Sequence, residues 1–184
     1  MKPSSKLSGI LAAASLALVA SPLWSAPPLV RGQTAVAARL SGYQETPQTI
    51  NSPGSGEFLA SIHQDGTAID FELTYRDLSS AVTQSHIHFG RPATSGSIVL
   101  FLCTNLTPPA GVPTPQACPA AGTVTGTLTA ADVLPVTAQG IDAGATGFDE
   151  ILQAIRNGAA YANVHTTNHG GGEIRGRLFT HGPH

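Results

Sequence analysis

Apolar and polar residues alternate with period two along most of the chain. Val36, Ala38 and Leu40 fall on one face of the first such segment, and Phe58, Ala60 and Ile62 repeat the pattern after a glycine-rich stretch at 53–56. Ile69, Phe71, Leu73 and Tyr75 then share a face, with Asp70 and Glu72 opposite. Successive side chains of a strand point to opposite faces, so this period marks half-buried strands. Asp65-Gly66 supplies a hairpin turn between the second and third segments. Further strands are predicted at 83–89, 97–102, 123–129, 160–166 and 173–179. About eight short strands separated by turn signals predict an all-β fold, a Greek-key β-sandwich of immunoglobulin-like or superoxide-dismutase-like type. One segment changes period. Phe148, Ile151, Leu152 and Ile155 recur at i, i+3, i+4 and i+7 and predict a short helix near 147–157, capped by Thr146 with Asp149 and stopped by Gly158. Asp149 and Glu150 then read as solvated acids of its first turn, not as a catalytic carboxylate pair.

Composition supports many turns between short strands: there are 20 glycines and 14 prolines, and charged residues make up only 11%. Nine basic and eleven acidic residues give a net charge of −2. Both lysines, Lys2 and Lys6, stand at the very start, so the body of the chain is mildly acidic and unsuited to a phosphate backbone. Nucleic acid is excluded as a partner. Lys2 and Lys6 precede an apolar run at 7–20, followed by small residues and prolines. That order is the one of a secretory signal peptide over 1–26, and the run is short of the roughly 20 residues a membrane span needs. The expected organisation continues with a linker at 27–34, one domain at 35–180 and a flexible tail at 181–184. After processing no membrane span is expected, and the mature chain works in the periplasm or outside the cell. The only two cysteines, Cys103 and Cys118, flank a proline-rich stretch. In an oxidising compartment they are expected to form one disulfide that staples the loop.

Seven histidines in so uncharged a chain call for a reason. His86 and His88 lie two apart in a predicted strand and share a face, while Ile87 and Phe89 turn the other way. In the strand at 160–166, Ala162 and Val164 should point inward and His165 outward with Tyr161 and Asn163. If these strands are neighbours, three imidazoles meet on the exterior of the sandwich. His169, before Gly170-Gly171-Gly172, is placed to join as a fourth ligand. An all-imidazole site suits copper better than zinc, because copper binds more tightly in the divalent series. His63, His181 and His184 read as bystanders.

Four segments carry a family resemblance: LSGYQETP at 40–47, HIHFG at 86–90, GTLTAADV at 126–133 and AIRNGAAYANVHTTNHGGGEIRGRL at 154–178. In order and spacing the chain from 37 to 178 resembles the CHRD domain, the module named for chordin. It departs at Gly170, where the family often carries proline. The resemblance implies a secreted β-sandwich module and leaves its biochemistry open.

Two functions of different class follow. In the first, copper held by His86, His88, His165 and His169 dismutates superoxide in a copper-only site. The substrate is a small anion, attracted by the cation Arg175, with Arg91 as the second candidate. In the second, the domain is a non-catalytic extracellular module that binds a protein or polysaccharide, with no particular protein partner indicated. Other catalytic patterns are missing: there is no G-x-S-x-G, and residues 89–97 hold none of the glutamate that a cupin usually adds a few residues after its H-x-H.

Overall fold

The computed structural model describes residues 32–111 and 113–181. The expected leader at 1–26 and residues 182–184 of the expected tail lie outside the described residues. Among the described residues nine strands and one α-helix follow in the order β1 (Thr34–Ser41), β2 (Ser55–Ile62), β3 (Ala68–Arg76), β4 (Val82–Phe89), β5 (Ser97–Thr104), β6 (Gly122–Thr129), α1 (Gly144–Arg156), β7 (Ala160–Thr166), β8 (Ile174–Arg177) and β9 (Phe179–His181). The fold is all-β and antiparallel with one short helix, as the alternation predicts. Its strands form one sheet in the order β5-β4-β7-β8-β1-β2-β3-β6, with β9 beside β1. The sheet curls until its edge strands β5 and β6 face each other across a seam. The predicted strand at 173–179 is divided: β8 pairs with β7 and reaches β1 at Ser41, whereas β9 pairs with β1 alone.

The inner face carries the apolar phase of strands β1 to β8. Phe58, Leu73, Tyr75, Ile87, Leu100, Ala162, Val164 and Ile174 are all fully buried there. Helix α1 lies across the end of the sheet marked by the β2–β3 turn, where a Cβ at Gly66 would lie 3.6 Å from Leu152 Cδ1. It buries Phe148, Ile151, Leu152 and Ile155, the stripe read from the sequence. The expected cap is not used. The helix begins at Gly144, and Ala143 in the cap position makes no side-chain bond. Glu150 instead turns back to accept the Asp142 amide at 2.8 Å.

The seam between β5 and β6 is filled by the proline-rich loop. The Cys103–Cys118 disulfide forms, with its Cα atoms 5.1 Å apart, and fixes this loop to β5. The Thr104 amide donates to the Gln116 carbonyl at 2.9 Å, and Gln116 Nε2 donates to the Thr125 carbonyl at 2.7 Å. The loop therefore takes part of the pairing that two adjacent strands would otherwise make. A cavity of about 170 Å³ remains beside it, lined by Phe71, Phe101, Pro115, Gln116 and Asp132 among others.

Candidate metal centre

Strands β4 and β7 are direct neighbours, and their register sets Ile87 opposite Ala162, His86 opposite Asn163, His88 opposite Tyr161 and Gln84 opposite His165. Since Ile87 and Ala162 belong to the apolar core, the histidines stand on the face turned away from it. Ring centroids are 5.0 Å apart for His86 and His165, 5.5 Å for His86 and His88, and 6.0 Å for His88 and His165. One potential ligand nitrogen from each ring lies within 4.8 Å of the other two. A metal ion about 2.0–2.1 Å from each of three nitrogens would set them about 3.5 Å apart, so a small inward movement closes the site.

The expectation of an exterior site is corrected by burial. His86, His88 and His165 are 0%, 7% and 6% exposed. Strand alternation assigns the faces correctly, but three connections roof the outer one. From the β4–β5 connection, the Gly96 carbonyl accepts His88 Nδ1–H at 3.0 Å, and the Gly96 amide donates to the Tyr161 hydroxyl at 3.0 Å. From the β7–β8 turn, the Gly170 carbonyl accepts His165 Nδ1–H at 3.0 Å. From the connection after β1, Glu45 accepts Asn163 Nδ2 at 2.6 Å. Gly172, with φ +127°, permits this close approach, because a Cβ there would lie 2.7 Å from Asn163 Nδ2 and 2.8 Å from the Glu45 carboxylate.

A carbonyl oxygen can only accept, so the two backbone contacts fix His88 and His165 with hydrogen on Nδ1 and a lone pair on Nε2. Among the described residues, both Nε2 atoms are buried without a partner, and so are both ring nitrogens of His86. Phe101 packs edge-on to His86 at 4.5 Å, and Tyr161 stacks on His88 at 4.7 Å. Burial, with smaller contributions from the other two rings, pushes the His86 pKa down to about 2. Burial pushes His88 down to about 4 against the Gly96 bond, and it lowers His165 as well. All three imidazoles are neutral at physiological pH, the form that ligates a metal.

Arg175 is close to the centre but enclosed. Its guanidinium lies 3.4 Å from the Tyr161 ring centroid, and it donates to Thr46 Oγ1 and to the carbonyls of Arg91 at 3.2 Å and Thr94 at 2.7 Å. Because β7 separates β4 from β8, the Tyr161 ring is held between His88 and Arg175. At 3% exposure Arg175 is part of the roof, and the Arg91 side chain lies on the exposed loop above it. His169 does not join the three-ring group and stays half-buried on its turn, where its carbonyl accepts the Gly172 amide at 3.0 Å. His63 bonds Asp70 at 2.8 Å, outside the site.

Several residues that build the centre had no distinct sequence signal of their own: Gly96, Phe101, Glu45 and the Gly170 carbonyl. Two carboxylates behave differently within this layer. Burial raises the Glu45 pKa to about 7, although Asn163 and Arg175 pull the other way. Burial also works against the Glu173 carboxylate, but Ser52, Thr166 and Ser79 overcome it with hydrogen bonds and hold its pKa below the ordinary value.

The family model of the CHRD domain matches residues 36–178. The chain belongs to the CHRD domain family. Among curated proteins and among solved structures, nothing matches the chain. Membership supports an exported, extracellular domain. Among the described residues no helix is long and apolar enough to cross a membrane. Three of the four segments that carried the resemblance supply walls of the centre, and the fourth, at 126–133, lies on β6 and the turn after it, away from the centre. HIHFG supplies two rings, NVHT the third, and YQETP the Glu45 and Thr46 contacts of the CHRD domain's roof.

Proposed function

We propose that this CHRD domain holds one copper ion on Nε2 of His88, Nε2 of His165 and one nitrogen of His86. The observation that carries the reading is the set of four buried imidazole nitrogens without a hydrogen-bond partner among the described residues, on three rings that converge from two adjacent strands. Buried polar atoms are nearly always satisfied, and one left alone costs about 1–3 kcal/mol. A shared metal ion answers all but one of these nitrogens at once. Among the described residues no thiolate or carboxylate joins the group, and an all-imidazole set favours copper, with zinc second. Backbone carbonyls behind His88 and His165 fix tautomer and ring orientation, as outer partners of metal-bound imidazoles do. A fourth position is left to a small exogenous ligand. His169 takes it only if the turn at 167–172 rearranges. The compartment is the periplasm or the cell exterior, and the Cys103–Cys118 pair supports either.

Superoxide is the small anion this reading offers as a redox substrate, two ions and two protons giving dioxygen and hydrogen peroxide. Arg175 would contribute positive potential across Tyr161. A specific observation favours a second reading, a non-catalytic extracellular module: the rings are roofed, and the Arg175 guanidinium is committed to Thr46 and two carbonyls. Copper titration with a superoxide assay tests both. Stoichiometric uptake, weakened at least 100-fold in His86→Ala and His88→Ala, supports the metal site. Uptake with dismutation supports the redox reading, uptake without it the non-catalytic one, and no uptake by the wild-type domain refutes the site.

A further inference from the structure

The three rings bring no negative charge to an ion between them. Each is a neutral imidazole, and among the described residues no carboxylate or thiolate joins the group of ligand atoms. The two carboxylates of the surrounding layer are committed elsewhere. Glu45 faces Asn163 at 2.6 Å, and Glu173 accepts from Ser52 at 2.5 Å, from the Ser79 amide at 2.7 Å and from Thr166 at 2.7 Å. The nearest fixed cation works against a further positive charge: the Arg175 guanidinium lies against Tyr161, whose ring stacks on His88. Aromatic walls complete the enclosure, with Phe101 edge-on to His86 at 4.5 Å and Tyr161 parallel to His88 within 6°.

Moving an ion out of water into such a site costs solvation energy that grows with the square of its charge, so a divalent ion loses about four times what a monovalent ion of the same size loses. Anionic ligands normally offset that loss for a divalent ion, and none is present in the group. Three neutral nitrogens suit a three-coordinate monovalent ion, which asks for no further ligand from solvent. From this juxtaposition of neutral ligands, sealed walls and a buried guanidinium we infer that the centre is selective for cuprous over cupric ion. The inference rests on the metal-site reading above and narrows it. It makes the domain a holder of Cu(I) in an exported setting, slow to give up an electron, and it weakens the case for rapid cycling.

The test is a pair of competition titrations on the mature domain. Cu(I) is titrated without oxygen against a chromophoric cuprous chelator, and Cu(II) against a cupric chelator in a non-coordinating buffer. The expected dissociation constant for Cu(I) is at least about 100-fold lower than for Cu(II), equivalent to a potential raised by about 120 mV at 59 mV per tenfold. Ag(I), a redox-inert monovalent ion, should displace Cu(I) one for one, and Zn(II) should not. In His86→Ala and His88→Ala, both confirmed folded by circular dichroism, Cu(I) affinity should fall at least 100-fold. Cu(II) binding as tightly as Cu(I) or more tightly overturns the inference and leaves the metal site standing. Cu(I) affinity unchanged in both variants overturns it too, since the ion would then sit elsewhere. Failure to bind either oxidation state refutes the metal site itself.

Discussion

Among the described residues His86 has two ring nitrogens buried without a partner, and its ring is fully enclosed. Without metal, that arrangement destabilises the fold, because an unsatisfied buried polar atom costs more than an apolar group of similar shape. His86→Leu should therefore raise the melting temperature of the metal-free domain. A gain of about 1–2 kcal/mol corresponds to about 2–8 °C for a domain of this size. The same substitution should abolish copper uptake. A lowered melting temperature with uptake intact would show that the ring serves packing.

The lowered imidazole pKa values fix a direction for pH dependence. Below pH 6.5 each histidine of the unfolded chain takes up a proton, whereas in the folded domain His88 waits until about 4 and His86 until about 2. The unfolded state then binds more protons, so stability falls as pH drops from about 6.5 to about 4. Glu45 opposes this: folded it protonates near 7, unfolded near 4.5, so its contribution grows over the same descent. Three histidines outweigh one glutamate, and the metal-free domain should lose on the order of 2 kcal/mol between pH 7 and 5.5. Thermal melts across that range check it. A flat profile, or one that rises toward acid, would contradict neutral buried rings.

At the scale of elements, the centre depends on the β4–β7 pairing and on the connections laid over it. Alternation in HIH and in YANVHT was enough to read which face the rings share, since a period of two leaves only two choices. It could not reveal the roof. The contacts that close the site join Glu45 to Asn163, Thr46 to Arg175, and Ser52 and Ser79 to Glu173, all far apart in sequence, and Glu45, Thr46, Ser52 and Ser79 lie in irregular chain without periodicity. The helix start was misread for a related reason. Thr146 and Asp149 make a plausible cap locally, but Glu150 satisfies the preceding turn instead.

Glu173 is the knot of that layer, a fully buried carboxylate shared by the segments around 52, 79 and 166. Glu173→Gln keeps the shape and removes the charge behind these bonds. It should cost about 2–4 kcal/mol and speed hydrogen exchange at Ser79 and across the β7–β8 turn. Unchanged protection there would mean the segments are held by other contacts. The disulfide acts at the opposite edge. It closes a span of 15 residues over the β5–β6 seam, and reduction should cost about 3 kcal/mol, or about 6–12 °C in melting temperature. Equal melts with and without reductant would show that the bonds of Gln116, with those Asn105 exchanges with the Cys118 backbone, suffice to hold the loop.

For the whole molecule, the family, the all-β class and the strand positions were legible because each strand buries one regular face. For the same reason the shared face of His86, His88 and His165 was legible, and the structure brings these three rings together. His169, read from the sequence as a fourth, stays outside the group: it follows the end of β7, on a turn whose path is set by the bonds of Thr166 and Gly172 to its own backbone. Arg175 kept its predicted face and lost its predicted exposure, as the β4–β5 connection folds over it. A metal ion that binds the folded chain and not the unfolded one stabilises by mass action, about 2.7 kcal/mol at a free concentration 100 times the dissociation constant.

The most direct test is X-ray absorption at the copper edge on the copper-loaded domain. The expected result is one copper per chain with three imidazole nitrogens at about 2.0 Å and no sulfur. Loss of that shell in His165→Ala would complete the assignment. A shell of oxygen scatterers without imidazole, or a wild-type domain that retains no copper, would contradict a metal centre between β4 and β7.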